Sequence, residues 1–279
     1  MERIEAANIW LLIQKEIRDT GRSRWFIIFS LAFIGLALAL AWLGLAGIGS
    51  LGIGGFSRTA ASMVNLVLLM VPLMGLVMGA MNLSSERERG YLLYLLSQPI
   101  SMTEAILGKY TGLSLSMLAT LLLGFGASGL VMVLIGGTAE INSYISLVLF
   151  AFLLAMISLS VGTLIAVLAR GSSAAIGLAL FIWLGFVFLA DLGIMGTAIV
   201  LKMDIGTLLT SAIMNPLQVF KIASVLQLQG NLEVLGPAGI YAFRTYGNAL
   251  LPLLTLLLIL WILIPLLISI GVSNRRGGV

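Results

Sequence analysis

The chain has 279 residues, 60% of them hydrophobic and only 9% charged, with a mean hydropathy of +1.15. A soluble domain carries about 25% charged residues, so this composition excludes a free globule in water. With no cysteine and no histidine it also excludes disulfides and the usual zinc, haem and thiol chemistries, which leaves the net charge of +4 to explain.

Residues 1–24 read as a helix with Ala6, Ile9, Trp10, Ile13 and Ile17 on one side and Arg3, Asn8, Lys15, Asp19 and Arg22 opposite. Such a helix is expected to lie in the cytoplasmic headgroup plane and lead into the first span. Six apolar runs follow, at 25–46, 62–81, 106–135, 144–168, 174–200 and 248–270. Each is long enough for a hydrocarbon core about 30 Å thick, which takes about 20 helical residues to cross. The expectation is an all-α polytopic membrane protein, a single domain over 1–279 with six transmembrane helices.

Orientation follows from the basic residues. With the N-terminus cytoplasmic, that side holds Arg3, Lys15, Arg18, Arg22, Arg24, Arg87, Arg89, Lys109, Arg170, Arg275 and Arg276, and the outer side holds Arg58, Lys202, Lys221 and Arg244. Eleven of the 15 Lys and Arg on one side predicts both termini inside. Topology therefore accounts for the positive charge, and nucleic acid is not needed as a partner.

The second span carries Met63, Met70, Met74, Met78 and Met81, which fall within an arc of roughly 80° at helical spacing. Thioethers suit Cu(I), so Met70, Met74 and Met78 are a candidate pathway. The same stripe equally suits adaptable packing between helices. Gly75-x-x-x-Gly79 and Gly108-x-x-x-Gly112 permit close helix contact. Lys109 can snorkel to the interface without a special role. Asp191 joins the candidate pathway if the fifth helix carries it into the membrane, or sits at the interface if that helix ends early.

Two longer loops remain. In 82–105, Ser84 or Ser85 can cap a helix whose first turn carries Glu86 and Glu88, with Gly90 interrupting it and Pro99 stopping it. Leu92, Leu93, Leu95 and Leu96 form a short apolar patch that either docks a soluble partner or rests on the membrane. In the outer segment, 201–247, Asn215 can cap a helix begun by Pro216 and closed by Gly230, with Leu217, Phe220 and Ile222 entering lipid or protein.

The stretch SSERERGYLLYLLSQPIS (84–101), with Leu-Gly-Lys-Tyr at 107–110, resembles the intracellular loop of ABC-2-type transporter permeases. The resemblance implies a coupling helix seated in a separate ATP-hydrolysing subunit, with Glu86, Arg87, Glu88, Arg89, Gly90, Leu92 and Leu93 at the contact. Three further stretches, 24–44, 172–192 and 214–230, are similar to the membrane subunits of copper-processing ABC complexes that mature nitrous oxide reductase. That similarity implies two ATPase copies, a second copy of this chain, and a periplasmic solenoid protein touching Asn215, Pro216, Phe220 and Lys221. No G-x-x-x-x-G-K-[ST] is present, so ATP and magnesium belong to the partner subunit, and this chain is expected to hold no cofactor, metal or catalytic residue. Copper would be handled by the complex. The expected location is a bacterial or archaeal inner membrane, in contact with lipid. The competing function is an ABC-2 exporter of a small molecule, lipid or drug.

Overall fold

The computed structural model describes residues 5–46, 53–136, 141–188, 210, 212–229 and 244–275, and among these it is helical with no strand. In chain order the helices are α1 (Ala6–Arg22), α2 (Arg24–Ala46), α3 (Ile53–Glu88), α4 (Tyr91–Leu96), α5 (Met102–Gly136), α6 (Ile141–Leu168), α7 (Ser172–Phe188), α8 (Pro216–Gln229) and α9 (Leu250–Arg275). Five of these, α2, α3, α5, α6 and α9, are long and apolar enough to cross a membrane. As far as it is described, α7 has 17 residues and a length of about 26 Å. The rest of the expected fifth span, 189–200, lies outside the described residues.

The bundle is built on α3 and α6. Of the apolar window of α3, 72% is buried, against 22% for α2, and its most extensive partner is α6. A Cβ on Gly79 would stand 2.8 Å from the Leu159 carbonyl oxygen and 3.0 Å from Gly162 Cα. The Gly75-x-x-x-Gly79 pair thus permits backbone-to-backbone packing, as small residues do where lipid offers no hydrophobic drive. Gly108 and Gly112 of α5 serve the same purpose for α1, since a Cβ at either would meet Leu12 or Glu16 at about 2.5–2.6 Å.

Two expectations need correction. First, α3 starts nine residues before the predicted second span (53 against 62) and ends seven after it (88 against 81). Hydropathy marks the lipid-solvated part of a helix, whereas backbone hydrogen bonding continues through polar residues until a stop. The stop is Gly90, whose φ of +71° lies in the left-handed region that favours glycine. Ser84 therefore starts no helix, and its hydroxyl donates to the Ala80 carbonyl at 2.5 Å within α3.

Second, α1 is more than an interfacial helix. It packs along α5 through a buried stripe, Leu12, Glu16 and Thr20, spaced i, i+4, i+8. Ile9 and Ile13 are half-buried, while Trp10, Leu11 and Ile17 stay exposed. The far end of α9 reaches the same end of the bundle, where Asn274 donates to Thr103 Oγ1 at 3.2 Å.

Candidate functional site

The chain between α3 and α5 gathers where α1 lies. After Gly90, the six residues of α4 turn Leu92 into the main core and Leu95 against Leu12 and Ala105. Burial thus withdraws Leu92 from the expected docking face. The open surface here includes Tyr94, 63% exposed, with Glu88, Arg89 and Gly90 on one side of it and 97–99 on the other. The side chains of Leu93 and Leu96 lie outside the described residues. A capping box starts α5: Ser101 Oγ accepts the Glu104 N–H at 3.2 Å, and Glu104 accepts the Ser101 N–H at 2.7 Å. Glu104 also accepts the Glu5 backbone N–H at 2.6 Å, which ties the start of α1 to α5.

Between α1, α3 and α5 lies a cluster of charges. Lys109 of α5 is buried, and its three N–H donors have three acceptors: Glu86 Oε1 at 2.7 Å, Asn82 Oδ1 at 2.9 Å and Glu16 Oε2 at 3.2 Å. The Asn82 amide and the Thr20 hydroxyl both donate to Glu16 Oε1. Lys15 bridges Glu86 and Asp19 at 3.3 Å each and lies 4.5 Å from the centre of the Tyr91 ring. Among the described residues Glu86 Oε2 is buried and accepts no hydrogen bond, and the two lysines hold Glu86 through Oε1. Burial pulls the Lys15 pKa down, but Glu86, Tyr91 and Asp19 together outweigh it and raise the value above 10.5.

The two residues after Glu86 reach other helices. Arg87 donates to the carbonyls of Ala166 (3.3 Å) and Ala169 at the C-terminal end of α6, where a cation meets the negative end of the helix dipole. Glu88 accepts from the backbone N–H of Ser172 (2.8 Å) and from its hydroxyl, so it caps the N-terminus of α7 from outside. Consecutive side chains of one run therefore hold α1 and α5, then α6, then α7. Glu86 and Arg87 are half-buried and engaged inside this chain, Glu88 is engaged by Ser172 but exposed, and Arg89, Gly90 and Tyr94 are open.

The other predicted site residues are scattered. Met63, Met74 and Met78 are buried in the core and Met70 and Met81 are partly buried against it. Asp191 lies outside the described residues. Asn215 caps α8 as its sequence suggests: Oδ1 accepts the Leu217 N–H at 3.0 Å and the amide donates to the Phe186 carbonyl at 2.8 Å. Asn215, Pro216 and Phe220 are buried within this chain, where they hold α8 in place. Lys221 is half-buried and lines a cleft with Asn65, Leu68 and Gln218.

Sequence reasoning missed Glu16, Asn82 and Glu104 and gave Lys109 no role. Ser-x-x-Glu at 101–104 was a readable signal for Glu104. Glu16, four residues after Leu12, was readable only once that face of α1 was known to pack on protein.

A family model described as "ABC-2 family transporter protein" matches residues 10–277 of the chain. A probable ABC transporter permease protein, NosY, of Stutzerimonas stutzeri is 28% identical over 275 residues, covering 96% of this chain and 99% of the relative. The protein of the same description from Pseudomonas aeruginosa is 28% identical over 276 residues, covering 96% and 98%. The chain belongs to the ABC-2 family of transporter permeases and is a multi-pass membrane protein.

Proposed function

We propose that this ABC-2 permease carries the movement of a separate ATPase subunit into the membrane through α4 and the Glu86–Arg87–Glu88 run. One observation carries the reading: three successive side chains beside α4 are bonded to four different helices. A push on the exposed turn at Arg89, Gly90 and Tyr94 is therefore delivered to α1, α5, α6 and α7 together. The ATPase takes the exposed turn, Glu86 and Arg87 transmit from within this chain, and Glu88, exposed and bonded to Ser172, sits at the edge of the contact. On this reading the α1 end of the bundle is cytoplasmic, in keeping with Lys15, Arg18, Arg22, Arg87, Arg89 and Arg275 at that end.

The finer reading is a homodimer with two ATPase copies and a periplasmic solenoid protein, in a bacterial inner membrane, serving copper-centre assembly of nitrous oxide reductase. Its support is the similarity of 24–44, 172–192 and 214–230 to that class of subunit, together with nearly full-length similarity to the two NosY proteins. An exporter of a small molecule, lipid or drug is the alternative, and the cleft beside Lys221 is the feature that favours it.

The absence of cysteine makes the test clean. Single cysteines at Arg89 and Tyr94 are expected to cross-link to the ATPase in the assembled complex, and one at Phe220 is not. Glu86→Lys/Glu88→Lys is expected to keep ATP hydrolysis and lose coupled function. Coupled function at the normal level in that variant would refute the transmission role.

A further inference from the structure

Met70 and Met74 stand one turn apart on α3, and Met117 approaches them from α5. With Phe29 and Phe33 of α2 and Thr120 of α5 they line a cavity inside the bundle, roughly the size of a single water molecule. Met117, Phe33 and Met74 are buried. Thr120 is already engaged, its hydroxyl 2.9 Å from Ser30 Oγ and 3.3 Å from the Ser116 carbonyl oxygen. Beside that hydroxyl, which already holds two hydrogen bonds, the lone-pair donors among the lining side chains are three thioether sulfurs.

The chemistry of that wall selects its guest. A buried water needs two to four polar partners, and apolar cavities stay dry. A hard cation such as magnesium or calcium demands six or more oxygen ligands, and this lining supplies one hydroxyl, that of Thr120. A soft cation of single charge is suited to thioethers, and phenyl faces add attraction for it. Methionine packing alone explains sulfur in a core. It does not explain why three methionines from two helices meet at one void.

We propose that this cavity binds one soft monovalent cation, Cu(I) or Ag(I), through Met70, Met74 and Met117. Met78, part of the stripe read from sequence, is buried one turn further along α3 and does not line the cavity. Met117, on another helix, takes its place. The inference rests on the cavity and its donor set and does not depend on docking at α4.

The experiment uses the purified full chain in lipid nanodiscs, without ATPase or nucleotide. It is titrated anaerobically with Cu(I) against a competing chelator, and separately with Ag(I). X-ray absorption then reads the first shell of the bound copper. Because the chain has no cysteine and no histidine, a shell of sulfur alone can come only from methionine. The expected result is a single equivalent with a sulfur shell. Met70→Leu/Met117→Leu loses that equivalent, and Met214→Leu, at an exposed methionine, retains it. Leucine nearly conserves methionine's volume, and where the double variant does not fold, Met74→Leu and Met117→Leu separately weaken the binding. No binding above the chelator background, a shell of oxygen or nitrogen, or an undiminished equivalent in these variants overturns the proposal. Such a failure leaves the docking reading standing.

Discussion

Replacing Lys109 by Met tests whether the charge cluster holds α1 to the bundle. The Lys109 side chain is 6% exposed and that of Glu16 5%, with 3.2 Å between the charged atoms, and Glu86 is 2.7 Å away. At an effective dielectric of about 20, these separations correspond to attractions of about 5 and about 6 kcal/mol. Desolvation of each ion costs several kcal/mol and offsets much of that, so the net worth of the pairs is far smaller than their sum. Truncation is a different quantity, because Lys109→Met leaves Glu16 buried without its cation and half-buried Glu86 with Lys15 alone. The expected loss is about 3–5 kcal/mol. Adding Glu16→Gln removes one orphaned charge while keeping acceptor oxygen for Asn82 and Thr20. The double variant is then more stable than the sum of the single losses, by about 1–3 kcal/mol. Denaturant unfolding in mixed micelles, followed by far-UV circular dichroism, supplies all three values. A loss below about 1 kcal/mol, the range of exposed pairs, or strict additivity would refute the reasoning.

Gly79→Leu drives a side chain into the α6 backbone at Leu159 and Gly162, where a Cβ alone already lacks room. A loss of at least about 1–3 kcal/mol is expected in the same unfolding assay, whereas Gly126→Leu, on an open face, is tolerated. Gly90→Ala meets no neighbouring atom, so its cost is backbone strain alone, about 1–2 kcal/mol, and Gly90→Asn recovers part of it. Lys15 has a folded-state pKa raised above 10.5, so its stabilising contribution is complete below 10.5 and is lost as pH rises through the higher folded value. Unfolding followed as pH rises above about 10.5 should show a wild-type decline that is smaller in Lys15→Met.

Legibility followed the physics of each signal. Apolar length alone located α2, α5, α6 and α9, because a lipid core fixes how many residues a span needs. Small-residue spacing foretold both close contacts, at Gly75/Gly79 and Gly108/Gly112, though not which helices would fill them. Asn215-Pro216 was read correctly as a helix start, since capping is local chemistry. Ser84 was misread because the same hydroxyl bonds back to a carbonyl inside a helix as readily as it caps a new one, and only the stop at Gly90 settles which occurs.

What composition, periodicity and charge placement determined was a helical membrane protein with its basic residues gathered at one end. Those properties depend on solvent, and solvent acts on each residue separately. Tertiary structure decided which charges became interior. Glu16 and Lys109 are 93 residues apart and meet only because two glycines on α5 let α1 come close. In the same way Met117 meets Met70 and Met74 only because α5 packs across α3. A partner supplied by a different helix leaves no mark on the local sequence of either residue.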